Sequence, residues 1–171
     1  MVNNSVIDWV IPAHAAVATI ALTLGAYNLL RRRKGDRSHR VVGRVWVAAM
    51  YATIISSFFI RELRPGRFSW IHGLSAFTFV TLTIALWAAM TGRVRVHRHF
   101  VTGSYLGLVG AFVGAVAVPV RYLPRHIVER PAEVALAAFG CAVVTIATIR
   151  ASREAGRGLG RADGARVGGQ A

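Results

Sequence analysis

The chain has 171 residues, 54% of them apolar, a mean hydropathy of +0.48 and a formal net charge of +14. Soluble domains usually run at about 45–50% apolar. Here the charge is gathered into short clusters between long uncharged runs, which excludes an ordinary soluble domain. Cys141 is the only cysteine, which excludes an intrachain disulfide, a CxxC motif and a thiolate cluster.

Residues 1–9 form a short tail without Lys or Arg. The first apolar run, Val10–Leu30, exceeds the h-region of a cleavable signal peptide and is expected to remain as an anchor. Four further runs follow: Val41–Ile60, Phe68–Met90, Phe100–Val120 and Ala132–Ile149. Each is near the roughly 20 residues that a spanning helix needs. Only Arg44 and Glu133 put formal charge inside them, each near an end. Pro131 opens the fifth run, where a missing N–H costs nothing. The expected fold class is all-α: a polytopic integral membrane protein with five transmembrane helices over residues 10–149. The Arg/Gly segment 150–171 lacks an apolar pattern and is expected to be a disordered basic tail. It also lacks the aromatic platforms that stack bases, so nucleic acid is not an expected partner.

Basic residues orient the spans. Seven lie between Arg31 and Arg44, three in the next loop on that side (Arg93, Arg95, Arg98) and five in the tail. The opposite side holds six: Arg61, Arg64, Arg67, Arg121, Arg125 and Arg130. The positive-inside rule then puts the N-terminus outside and the C-terminus in the cytoplasm. Trp9, Trp70 and Tyr122 are expected as aromatic anchors at the outer interface, with Tyr27, Trp46, Trp87 and Tyr105 nearer the inner one. Anionic lipid headgroups account for the surplus charge, with Arg40, Arg44 and Arg98 placed to meet them. Arg outnumbers Lys twenty to one, a bias that suits a GC-rich bacterial genome and hence a plasma (inner) membrane.

A shift of 58 residues lays His14 over His72, Thr23-Leu24 over Thr81-Leu82, and His39-Arg40 over His97-Arg98. The first four spans then read as a bundle of two hairpin repeats, with chance identity as the alternative. In the fourth span Gly103, Gly107, Gly110 and Gly114 form a smooth stripe on one helical face. Such a stripe suits close helix packing.

The histidines carry the candidate chemistry. His14 and His72 each stand fifth in a span entered from outside, so they share one depth, about 6 Å below the span ends. His39 and His97 precede the second and fourth spans at the inner side. Spans one and three, and spans two and four, are the diagonals of an up-down bundle. Facing imidazoles on a diagonal suit bis-histidine ligation of haem b. The competing reading makes all four hydrogen-bonding anchors at the interfaces. A metal site would join His14 and His72 with His126 or with Glu62, Glu129 or Glu133. His97 and His99 point to different helix faces and make a poor chelate. Asn28 lies on nearly the same face as His14 and is expected to bridge helices.

His39-Arg40-x-x-Gly43-Arg44-Val45-Trp46, His14 with Ala21-Leu22-x-Leu24-Gly25, Trp87, His97-Arg98-His99-Phe100 with Ser104-Tyr105, and Arg121-Tyr122-Leu123-Pro124 together resemble a bacterial family of predicted membrane proteins, domain of unknown function 2306. The resemblance covers roughly residues 10–125. The family pattern places an Arg before the Ser-Tyr pair, where this chain has Gly103. The resemblance implies a helical integral membrane protein and no particular activity. Three functions remain open: a haem-binding or redox protein working with a quinone; an assembly subunit that packs its glycine stripe on a partner membrane subunit; and a metal-handling or transport protein.

Overall fold

The computed structural model describes residues 4–60, 70–117 and 131–168. Among them every regular element is helical: α1 (Asn4–Leu30), α2 (Arg37–Ser57), α3 (Trp70–Met90), α4 (Val94–Ala117) and α5 (Pro131–Gly168). Arg61, Glu62, Arg121, Tyr122, His126 and Glu129 lie outside the described residues, as do the side chains of Trp70 and Glu133.

Local chemistry sets the α1–α2 and α3–α4 turns. Lys34 Nζ donates to the carbonyls of Asn28 and Leu29 at 2.7 and 2.6 Å, so a cation closes the C-terminus of α1. Gly35 follows with φ +78°, and the Asp36 side chain then caps α2 by accepting from the His39 amide at 2.8 Å. Between α3 and α4, Gly92 has φ +71°. The amide of Arg93 reaches back to the Ala88 carbonyl at 2.8 Å, and that of Gly92 to Ala89 at 3.4 Å. This is a Schellman ending, which needs the left-handed residue that glycine supplies. These caps start α2 and α4 several residues ahead of their apolar runs.

Consecutive helices pack on one another and α4 closes back on α1. The first four helices therefore form a ring in which α1 and α3, and α2 and α4, are diagonal. The most extensive packing is α1 on α2 and α3 on α4. α5 lies outside the ring against α1 and α2. Its docking face is a stripe of small polar residues. Cys141 Sγ meets the Ala16 carbonyl at 3.5 Å, Thr145 Oγ1 meets Thr23 Oγ1 at 2.9 Å, and Ser152 Oγ meets Ser38 Oγ at 2.9 Å. Small side chains let helices approach when lipid is the solvent. The helix does not end at Ile149. It continues to Gly168 where an unstructured tail is expected, held beyond the apolar run by buried Ser152 and by Arg153, whose guanidinium lies over the Tyr27 ring.

Small polar side chains lie buried between the helices, and many large apolar ones face outward. Ser38, Thr53, Ser57, Thr78, Thr81, Ser104, Thr145 and Ser152 are buried. Phe77, Phe79, Leu106, Phe112, Leu136 and Phe139 are exposed. Water would not tolerate that apolar exterior, whereas acyl chains would. Four helical segments are long and apolar enough to cross a membrane: Trp9–Leu30, His72–Met90, Val94–Val116 and Val134–Glu154. α2 is not among them, which departs from the expectation of five. It carries Arg37, Arg40 and Arg44, and it packs on α1, α3 and α5. A helix so enclosed meets protein over much of its surface, and its composition need not satisfy lipid.

Aliphatic packing fills the middle of the bundle: Leu24, Val42, Met50, Ile54, Leu82 and Leu108 form one cluster. Trp46 belongs to it. Expected as an inner-interface anchor, it is 4% exposed and packs where α1 has no side chain. A Cβ on Gly25 would stand 2.6 Å from Trp46 Nε1 and 2.6 Å from a Tyr105 ring carbon. Only glycine admits both aromatic rings at that point.

Candidate functional site

The residues that fix His39 are all local to the inner turn. Asp36 holds its backbone amide. Asn28, on the last turns of α1, donates Nδ2 to the His39 carbonyl at 3.4 Å and sets Oδ1 against the His39 Nδ1 at 3.0 Å. With the amide nitrogen committed to a carbonyl, Oδ1 is the acceptor and Nδ1 of His39 carries the proton. His97, early in α4, sets Nδ1 2.9 Å from the Ala85 carbonyl. A carbonyl only accepts, so this Nδ1 is also protonated. Both inner rings, when neutral, therefore carry their lone pair on Nε2. The two histidines stand on the diagonal helices α2 and α4.

Burial lowers the pKa of His39, and the neighbouring cations Lys34, Arg31 and His97 lower it further, against the opposing pull of Asp36. The ring is therefore biased toward its neutral, ligand-competent form. Burial pushes the Asp36 carboxyl up. The His39 amide, then Arg31, then His39 outweigh it, and the group ends below the ordinary carboxylate value. Arg31 Nη2 pairs with Asp36 at 2.7 Å.

At the opposite end of the bundle, three consecutive residues at the end of α2 contact His14 and the region around His72. Ser56 Oγ lies 2.8 Å from His14 Nδ1. The same hydroxyl lies 2.7 Å from the Ala52 carbonyl. Ser57 bonds Ser75 at 2.7 Å, one turn from His72 on α3. The Phe58 ring stands 5.9 Å from that of His72, which is buried. His14 and the neighbourhood of His72 thus both contact the end of α2, through Ser56, Ser57 and Phe58. The partners Ser56 and Phe58 carried no distinguishing pattern in the sequence. Asn28 did, through its spacing from His14, and its bond to His39 is the bridge that spacing suggested.

Other candidates fall elsewhere. His99 is exposed and meets only its neighbour Phe100, edge-on at 5.7 Å, so His97 and His99 do face apart. Arg40, Arg44 and Arg98 are exposed. Among the described residues no group of three or more His, Cys, Asp or Glu could hold a metal ion. The His126 part of that proposal lies outside them. The glycine stripe of α4 is open: a Cβ on Gly103, Gly107, Gly110 or Gly114 would meet nothing within 4 Å. It packs on no other described helix of this chain.

An all-helical bundle with an apolar exterior, imidazoles at both ends and long apolar helices defines a polytopic membrane protein. The chain belongs to the family described as "Predicted membrane protein (DUF2306)", whose model matches residues 11–150. No curated protein and no solved structure matches it.

Proposed function

We propose that this protein is a haem-binding redox protein of a bacterial plasma membrane, crossing it five times with the N-terminus outside. The reading rests on one observation: His39 and His97 each commit Nδ1 to an oxygen acceptor and keep Nε2 as the lone pair, on opposite helices of the ring. Metal-ligating histidines are oriented by such Nδ1–H···O bonds, which fix the tautomer and raise basicity. At the other end His14 Nδ1 likewise meets an oxygen, that of Ser56, at 2.8 Å. In this reading His39 and His97 would hold the inner group and His14 and His72 the outer one. Haem b, when bound, would supply one-electron chemistry. The chain would supply imidazole nitrogens, a water-poor aliphatic middle between the tiers, and a membrane-wide separation of the two ends for transfer between a quinol and an acceptor. α2 counts as the fifth span because it runs beside α1 from the Asn28–His39 bond to the His14–Ser56 bond.

The test is an absorption spectrum of the detergent-purified protein after incubation with haemin. A Soret band that shifts on dithionite reduction, and that falls in His97→Ala and His72→Ala, supports the reading. A protein that stays colourless removes it.

A second reading has one observation behind it. The open glycine face of α4 suits a partner membrane subunit, with structural histidines. Gly107→Leu then abolishes co-purification of that subunit without unfolding the protein. Unchanged recovery counts against it.

A further inference from the structure

The inner end holds a second feature that the histidines leave unused. A pocket of about 870 Å³ opens between the end of α1, the start of α2 and α5. Five arginines line it: Arg31, Arg32, Arg33, Arg37 and Arg153. Asp36 is the one acid among its lining residues, and it is already committed to Arg31 and to the His39 amide.

Two of these guanidinium groups are positioned rather than free. Arg153 Nε donates to the Tyr27 hydroxyl at 3.3 Å, and its guanidinium lies 5.6 Å from the Tyr27 ring centre. Arg31 lies 5.8 Å from the same ring centre. One aromatic ring thus organises cations from α5 and from the end of α1. Arg31 spends Nη2 on Asp36, while its Nη1 is buried and has no hydrogen-bond partner among the described residues. A buried donor of a charged group left unmade is costly. A small turn of the Arg31 side chain would bring that donor to an anion in the pocket.

The surroundings intensify the need for an anion. Burial, then the charges of Arg31 and Arg98, push the Lys34 ammonium below its ordinary value. Like charges so crowded are relieved by a dianion or phosphodiester, whose oxygens accept the paired donors of arginine.

We propose that this pocket binds a phosphoryl group, held chiefly by Arg31, Arg37 and Arg153 and supplied by an anionic phospholipid headgroup or by free phosphate. Its level suits either source. α1 and α5 carry it at the end of their apolar segments, where headgroups meet water. Docking there would tie α5 to the α1–α2 turn, and so to the loop that seats His39.

Calorimetric titration of the detergent-purified full chain tests it, with dioctanoyl phosphatidylglycerol in one arm and inorganic phosphate in the other. Saturable single-site binding is expected in at least one arm, and which arm identifies the source. Arg153→Gln and Arg31→Gln should each weaken binding about tenfold. Arg93→Gln removes the same charge outside the pocket and should leave binding unchanged. Should Arg31→Gln misfold through the loss of its Asp36 pair, exposed Arg153 decides the matter. Absence of saturable binding in both arms overturns the proposal. So does equal weakening by Arg93→Gln and Arg153→Gln, which would mean a diffuse charge effect.

Discussion

Asn28 grips His39 at two points, ring Nδ1 and backbone carbonyl, and so sets both the tautomer and the orientation of the imidazole. Asn28→Leu keeps the branching at Cγ, with somewhat more bulk, and removes both bonds. A half-buried N–H then loses its acceptor, for a loss of about 1–2 kcal/mol. The measurement is thermal unfolding in detergent. A second readout is specific to the geometry: the ¹⁵N signals of His39 should show the proton moving from Nδ1 toward Nε2. Unchanged ¹⁵N signals would mean that Asn28 does not set the tautomer.

The pH dependence follows from the same turn. His39 titrates below its ordinary value because burial and cations disfavour the imidazolium. The folded protein therefore binds fewer protons here than the unfolded chain. Its contribution is complete above about pH 6.5, the unfolded value. It is lost as pH falls through the lower, folded value. Asp36 is also lowered, so its contribution too is present above the unfolded carboxylate value and is lost in stronger acid. Lys34→Gln should raise the His39 pKa by removing a nearby cation. Proton NMR of the His39 ring during titration checks it, and a fall in pKa would reverse the electrostatic account.

Gly25 and Gly107 make opposite predictions. Gly25→Ala places a methyl 2.6 Å from both Trp46 and Tyr105. In an open helix Gly→Ala gains about 1 kcal/mol. Here overpacking should reverse the sign and cost about 1–3 kcal/mol. Gly107→Ala meets nothing and should leave the melting temperature unchanged or raised. Comparable melting shifts of the same sign in both variants would show that Trp46 and Tyr105 yield without cost.

The contrast shows how far the sequence could be read. Lipid demands long apolar runs, so all five helices were legible from composition, although α2 is less apolar than lipid exposure would require. The histidines stood out because two lie just inside apolar runs and two just before them. Contacts across the bundle were not. The conspicuous glycines of α4 face outward, while the glycine that packs, Gly25, stands alone in α1. Trp46 has the depth of an interfacial anchor along α2, yet it turns toward α1, and no local pattern records that direction. Asp36 and Gly35 are ordinary cap and turn residues, but their effect on His39 depends on Asn28, eleven residues from the ring it holds.

The docking of α5 was equally hidden, because Cys141, Thr145 and Ser152 look like incidental polar residues in an apolar helix. They nevertheless give it an internal reporter. Each interhelical hydrogen bond in a membrane contributes about 0.6 kcal/mol, so these contacts set register more than they supply stability. Ser152 is fully buried, and Ser152→Val leaves the Ser38 hydroxyl without its cross-helix partner and adds bulk where the helices touch. The inner half of α5 should then lift from α1 and α2. Cys141, buried against Ala16 on the same face, becomes the measure of how far the loosening spreads. Maleimide labelling of its thiol should be slow in the native protein and several-fold faster in Ser152→Val, with helix content unchanged by circular dichroism. Equal labelling rates would show that the two ends of α5 are held independently, with Thr145 and Cys141 sufficient to seat the outer half.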